Sequence, residues 1–401
     1  MEFLTLQSLD SALKKTTAAT KHWLYKTQSI PLAQAQNRIL ATPITSTENL
    51  PPFRRSAVDG YALQATDIAG AGESSPAFLT LAGTVLIGQE THLTCAPGQC
   101  IEIATGAMLP HNTDTVAMVE YTEVFGTEIA ISRPFAPYEN IIDIGDDIKT
   151  GETLLPQGTP LTPKELGALA ALGITQVPVY TQPTMVVIST GDELAPLDTT
   201  PPMGKIRDIS SISLTAMATG YGFNVVQSIL LYDDMHLLES TIQTAMAKAD
   251  VVVISGGSSY GKYDITADAI AKHANIFTHG IALKPGKPTI LASTQNKLVI
   301  GLPGHPVSAM VVFELLLGHL SPAPKKPPIP ATLTCNTPAA GGKTTIYPCT
   351  LHWENNMYNA TPILGKSGTI TTLTHAQGYF TIKEGTEGLL KGATVLVEML
   401  G

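Results

Sequence analysis

The chain has 401 residues, of which 44% are hydrophobic and 14% charged, with a formal net charge of −9. At roughly 100–200 residues per domain this length implies two to four domains. The acidic balance and the lack of any basic run exclude a nucleic-acid binder. The charged fraction is low against the roughly 25% of an ordinary globular protein, which suits an extensive subunit or domain interface. The four cysteines, Cys95, Cys100, Cys335 and Cys349, form no C-x-x-C pair and no zinc-type spacing. They fit reduced cytoplasmic thiols. The N-terminus lacks the apolar core of a signal peptide, and the longest strongly apolar run, Met310 to Leu317, is too short to span a bilayer. A soluble, cytoplasmic protein is expected.

Residues 5–40 read as helical, with Leu9, Leu13 and Leu32 on apolar faces. From Pro51 short apolar runs alternate with Gly, Pro and Thr, as in a β-rich module. These are Phe78–Leu81, Val85–Ile87, Ile101–Ile103, Val116–Val119 and Glu128–Ile131. Gly145 to Gly158 is turn-rich. Thr162-Pro-Lys-Glu165 is a helix start, with a capping residue, Pro at the first helical position and Glu for a capping box. Gly173 ends that helix. Pro178 and Pro183 flank a connector.

Residues 184–320 change rhythm. Met185–Ser189, Asn224–Ile229, Val251–Ile254 and Lys297–Ile300 read as strands. Helices are predicted around Ile212–Ala218, over Met235–Ala249 and Thr266–His273, and over Val307–Leu317, the last stopped by Gly318. Such alternation predicts a mostly parallel sheet with helices on both faces. Ligands of such sheets sit beyond the carboxyl ends of the strands. Gly191–Glu193, Asp233, the loop after Ile254 and Gly301–Pro306 would therefore share one edge. Residues 321–330 are a Pro-rich linker, and residues 331–401 suggest a small β-barrel or sandwich.

The most informative stretch is Val251–Asp264. A buried strand breaks at Ser255 into Gly256, Gly257, Ser258 and Ser259 and closes on Asp264. Bare backbone N–H groups and hydroxyls suit a phosphate, and a carboxylate beside them suits a divalent cation. Taken alone, the same loop also reads as a plain strand-to-helix turn. Lys284-Pro-Gly-Lys-Pro288 sets two lysines on a Pro-braced turn. Gly301-Leu-Pro-Gly-His-Pro306 opens a helix whose first amides are free for an anion. At His305 an Asn-like backbone contact is the alternative to phosphate binding.

Taken together, these runs, with Pro51–Ala62, Thr105–Pro110, Gly145–Ile148 and Ser189–Leu194, resemble the MoeA family of molybdopterin molybdenumtransferases, including the E domain of gephyrin. The family patterns include P-P-F-x-x-S-A-M-D-G-Y-A, S-T-G-D-E-L, K-P-G-K-P and G-L-P-G-N-P, and the likeness covers nearly the whole chain. It implies a multidomain homodimer, α/β plus β-rich. Residues 1–47 and 148–182 would form a helical linking domain and residues 48–147 an inserted β-rich domain. Residues 183–322 would form an α/β domain like the molybdopterin adenylyltransferase MogA, and residues 331–401 a C-terminal β-barrel. The family's cleft lies between the α/β domain of one subunit and the inserted module of the other.

The implied reaction inserts molybdenum from molybdate into adenylylated molybdopterin, with Mg²⁺, and releases AMP. Carried over by motif position, Asp59, Thr105 and Asp147 are the catalytic residues. Asp233, Ser255, Gly256, Gly257, Ser259, Lys284, Lys287, Pro303, Gly304 and His305 bind substrate. Glu193 and Asp264 hold Mg²⁺. A molybdopterin adenylyltransferase and molybdoenzymes are candidate partners. The alternative is a divergent paralogue or scaffold that binds pterin or proteins without efficient metal insertion. Departures from the family pattern motivate that alternative. Gly280 replaces a frequent lysine, Asp208-Ile-Ser210 replaces Asp-Ser-Asn, Ser258 and Tyr260 replace valines, His305 replaces Asn, and Thr344–Tyr347 lacks an arginine. Arg207 and Lys262 are candidates for relocated positive charge.

Overall fold

A computed structural model of the chain describes residues 6–257, 265–365 and 371–400. Two compact units divide it: residues 42–157 with 163–175, and residues 1–41, 158–162 and 176–401.

The smaller unit is built on a six-stranded sheet. Its order is Thr115–Met118, Gly60–Leu63, Gln99–Ile103, Ala77–Val85, Glu128–Ile131 and Thr122–Phe125. All neighbours are antiparallel except Ala77–Val85 with Gln99–Ile103. Alternation along these strands buries Tyr61, Leu63, Leu79, Ile129 and Ile131 in one cluster and Ala62, Val85, Ile101, Ile103 and Val116 in another. Both faces are thus covered. The strand Ala77–Val85 covers the expected run Phe78–Leu81 and ends at Val85, the first residue of the expected run Val85–Ile87. The expected helix Pro163–Ala171 is present, and Gly173 follows it at φ +66.

In the larger unit a six-stranded sheet runs Asn224–Leu231, Thr184–Thr190, Val251–Ser255, Leu298–Leu302, Ile290–Ser293 and Asn275–His279. The first four strands are parallel, and Ile290–Ser293 runs against both of its neighbours. Odd positions such as Met185, Val187, Val251 and Val253 pack on the helices Ser210–Gly220 and Pro306–Leu320. Even positions such as Val186, Ile188, Val252 and Ile254 pack on Met235–Lys248 and Ile265–Ala271. Strands buried on both faces explain the continuous β-branched runs. No helix among the described residues is long and apolar enough to cross a membrane.

Four expectations are corrected. Residues 5–40 are not helical throughout: the helix is Leu9–Thr20, and Thr27–Pro31 is a strand paired with Gln176–Tyr180. That partner is far away in sequence, so local periodicity carries no trace of it, and Pro178 lies within a strand rather than a connector. Gly318 does not end its helix, which continues to Leu320 because Leu320 is itself buried. The linker ends earlier than expected, since Ile329 and Pro330 already pair with Val397 and Leu396.

The C-terminal region is a closed five-stranded barrel. Thr344–Glu354, Met357–Pro362, Ile329–Leu333, Thr394–Met399 and Gly378–Ile382 pair in a ring that returns to Thr344–Glu354. Closure removes exposed strand edges. A short segment from the α/β region, Leu283–Lys284, adds to the ring in parallel with Thr344–Thr345.

Candidate functional site

Chain topology collects most of the expected residues of the larger unit. Thr190, Leu231, Ser255 and Leu302 end the four parallel strands in register or one residue apart. Gly191–Glu193, Asp233, Gly256–Gly257 and Pro303–His305 therefore follow at one edge of the sheet. Gly280 and Thr289, flanking His279 and Ile290, bring the lysine turn to the same edge.

The loop glycines are demanded by close approach. At Gly256, φ is +113 and a β-carbon would stand 1.9 Å from the Thr190 carbonyl oxygen. At Gly257, φ is +63 and a β-carbon would stand 2.5 Å from Thr266 Oγ1. The Thr266 hydroxyl closes the turn by donating to the Gly256 carbonyl at 3.0 Å. A β-carbon on Gly304 would be 3.6 Å from the Gly256 α-carbon, so these two backbones run close together. Ser255 is buried, and its hydroxyl donates to Ser210 Oγ at 3.2 Å, at the start of the helix Ser210–Gly220. Ser259 and Asp264, with Ser258, Tyr260 and Lys262, lie outside the described residues.

Among the carboxylates, position separates structural from available groups. Asp234 caps the helix Met235–Lys248 by accepting from the Leu237 N–H at 2.7 Å. Asp208 accepts from the Ser211 N–H at 3.1 Å and from its hydroxyl, and is buried. Asp233 is exposed and accepts from the Thr190 hydroxyl at 2.7 Å, while its own N–H donates to Asp192 Oδ1 at 3.2 Å. Thr190 and Asp192 are thus site neighbours that motif matching left unassigned, although both lie inside the Ser189–Leu194 run. Glu193 is exposed, and its carboxylate folds back to within 2.7 Å of where a Gly191 β-carbon would be.

Lys284 is exposed and Lys287 half-buried on a turn fixed from three sides. The Ile281 N–H donates to the Lys287 carbonyl at 3.0 Å and the Thr289 hydroxyl to the Gly286 carbonyl at 2.7 Å. Gly286, at φ +120, leaves room for Val312 of the helix Pro306–Leu320, whose Cγ2 would be 2.3 Å from a β-carbon. Pro303 is buried, whereas Gly304 and His305 are exposed. Pro306 is the first residue of that helix, and the His305 ring makes no cap bond to its first amides. The Asn-like backbone contact is therefore not made.

In the smaller unit, Asp59 and Thr105 meet. Asp59 Oδ1 accepts from the Thr105 N–H at 2.7 Å and from its hydroxyl at 2.9 Å. These two bonds hold the exposed Asp59 carboxyl below its ordinary range, the backbone donor contributing most. Gly60 allows the turn, since a β-carbon there would lie 1.9 Å from the Ala117 carbonyl oxygen. The exposed Asp147 sits on a loop stapled to the Pro51 segment. Its N–H donates to the Leu50 carbonyl at 2.9 Å, and the Gly145 N–H donates to the Pro51 carbonyl at 3.1 Å. Among the described residues no hydrogen bond joins Asp147 to Asp59 or Thr105.

Chemically, the sheet edge offers hard oxygen donors, two lysines and open backbone amides. That set suits phosphorylated ligands and a hard divalent cation rather than a soft metal. No cluster of three or more metal-ligating side chains forms among the described residues.

Comparison with known proteins agrees with this architecture along the chain. Residues 7–173 match the MoeA N-terminal region (domain I and II). Residues 186–323 match the family described as "Probable molybdopterin binding domain", and residues 330–400 match the MoeA C-terminal region (domain IV). The chain is 30% identical over 387 residues to the molybdopterin molybdenumtransferase of Bacillus subtilis, covering 94% of this chain and 90% of that one. It is 36% identical over 297 residues to the enzyme of the same name from Haemophilus influenzae, covering 74% and 72%. A crystal structure of the molybdopterin biosynthesis protein MoeA from Pyrococcus horikoshii superposes with a TM-score of 0.84 at 30% identity, covering 99% of this chain and 100% of that one. With family models matching in succession from residue 7 to residue 400, and relatives 30% and 36% identical over most of their length, the chain belongs to the MoeA family.

Proposed function

We propose that this chain is a molybdopterin molybdenumtransferase, inserting molybdenum from molybdate into adenylylated molybdopterin and releasing AMP in molybdenum cofactor biosynthesis. The observation that carries the reading is the gathering of Gly256, Gly257, Gly304, Lys284 and Lys287 at the sheet edge that also bears Glu193 and Asp233. Both substrates are highly anionic. Lys284 and Lys287 offset that charge, and the first amides of the helix Pro306–Leu320 add donors without a counter-charge. His305, which precedes this helix, adds a donor when protonated.

Asp59, hydrogen-bonded by Thr105, can orient water or take a proton from it, and Asp147 is assigned the same kind of role. Glu193 and Asp264 are the residues we assign to Mg²⁺, which when bound supplies positive charge to the phosphates. The all-oxygen donors fit such an ion. We further propose a homodimer located in the cytoplasm, consistent with the low charged fraction and with free cysteines throughout. A molybdopterin adenylyltransferase and molybdoenzymes would be its partners.

Reconstitution tests the reading. Purified protein is given adenylylated molybdopterin, Mg²⁺ and molybdate or tungstate, and AMP release is followed. Release that EDTA abolishes and Mg²⁺ restores is expected. Binding of the pterin without release would support the paralogue or scaffold instead. Light scattering tests the dimer.

A further inference from the structure

Tyr232 is an aromatic side chain with no structural task. It leaves the carboxyl end of the edge strand Asn224–Leu231, immediately before Asp233, and is 60% exposed. It belongs to none of the buried hydrophobic clusters or the partly buried groups packed on them. Its backbone is nevertheless fixed, since its carbonyl accepts from the Thr190 hydroxyl at 3.3 Å and from the Asp234 N–H at 2.8 Å. Lys205 Nζ stands over the ring, 5.1 Å from its centroid. Lys205 directly precedes Ile206, whose N–H donates to the Glu193 carbonyl at 2.8 Å, so the lysine is anchored to the same edge. Among the described residues Lys205 forms no ion pair.

A held aromatic face, an ammonium beside it and a row of carboxylates next door make a specific combination. Asp192 and Asp233 alone would repel a phosphate, and Lys205 offsets them. The Lys205 ammonium lies over the Tyr232 ring, and a ring that is 60% exposed offers surface for stacking. A nucleotide brings the matching pair, a flat base and a phosphate. By contrast, Arg207 turns its Nε to the Leu197 carbonyl at 3.3 Å.

We propose that Tyr232 and Lys205 form the nucleotide subsite of this protein. The purine of an adenylate stacks on Tyr232, and Lys205 supplies charge to its phosphate. This rests on the pterin-nucleotide reading of the sheet edge and names the residues that receive its adenylate end.

Binding of AMP, adenosine and inorganic phosphate to the full-length protein by calorimetry tests it, independently of metal insertion. Tyr232→Ala should weaken AMP and adenosine about tenfold, the scale of one base–aromatic stack, while Tyr232→Phe should bind as the parent does. Lys205→Gln should weaken AMP but not adenosine, and should flatten the salt dependence of AMP binding. Because both side chains lie outside the cores, melting temperatures should stay unchanged. No AMP binding by the parent, or AMP binding unchanged in Tyr232→Ala, overturns the proposal. Tyr232-dependent AMP binding in a protein that releases no AMP from adenylylated molybdopterin would sustain the subsite and refute the transferase reading. Full turnover with an unaltered KM in Tyr232→Ala would do the reverse.

Discussion

Thr105 gives both of its donors to a single oxygen of Asp59, the N–H at 2.7 Å and the hydroxyl at 2.9 Å. This ties the Asp59-Gly60 turn to the Thr105-Gly106 turn and draws the titration of an exposed carboxyl downward. Thr105→Val keeps the backbone bond and removes the hydroxyl bond. The Asp59 carboxyl should then titrate at higher pH, closer to its ordinary range. A depressed carboxyl is ionised further down the pH scale, so the variant should lose AMP release at a higher pH than the parent as solutions are acidified. Carboxyl NMR titration, with Asp59→Asn for assignment, checks the shift; an unmoved resonance would show that the Thr105 hydroxyl does not hold the carboxyl down.

Gly256→Ala should be costly. The new β-carbon would meet the Thr190 carbonyl oxygen, which is backbone and cannot step aside, at a φ of +113. A loss of about 2–3 kcal/mol is expected, from steric overlap and strain together. The unfolding midpoint should fall by roughly 5–10 °C. Calorimetry measures this directly, and a midpoint within a degree of the parent would show that the loop can take another path.

Lys284→Gln should leave the midpoint unaltered, because the side chain is exposed. Its effect should fall on turnover, with AMP release slowed roughly 10²-fold if the ammonium faces charge that develops in the reaction. Comparing kcat with KM separates that role from ground-state binding, in which only KM would rise.

Restoring the family's lysine at Gly280 should not improve the protein. Gly280 has φ +95, a conformation that costs a residue with a β-carbon about 1–2 kcal/mol. Gly280→Lys should melt lower by a few degrees and release AMP no faster. A faster enzyme would mean that the missing lysine limits activity.

Native-state alkylation should single out Cys335, the half-buried cysteine. Burial pushes the Cys95 thiol up to about 11 and those of Cys100 and Cys349 up to about 12. Mass spectrometry after brief iodoacetamide treatment should find one adduct, and all four cysteines should react only after unfolding.

The sequence showed the α/β layers well because their signal is local. Val251–Ile254 and Met185–Ile188 are apolar throughout, as strands covered on two faces must be. Strand-end loops could then be assigned to one edge before any distance was known. What escaped was non-local. Thr27–Pro31 is a strand only because Gln176–Tyr180 lies beside it, and no periodicity within five residues reveals that. The Thr190 hydroxyl on Asp233 and the Lys205 ammonium over Tyr232 each join residues far apart in the chain. Motif comparison also missed the latter pair because the signal lies in their juxtaposition, not in either residue.

The parallel pairing of Leu283–Lys284 with Thr344–Thr345 means that Lys284 is at once a residue of the ligand edge and a rung of the barrel wall. Cutting the chain at the Pro-rich linker would leave that rung without its neighbour. The barrel is thus a splint for the lysine turn, and a truncated protein should keep its parallel sheet while losing its grip on anions.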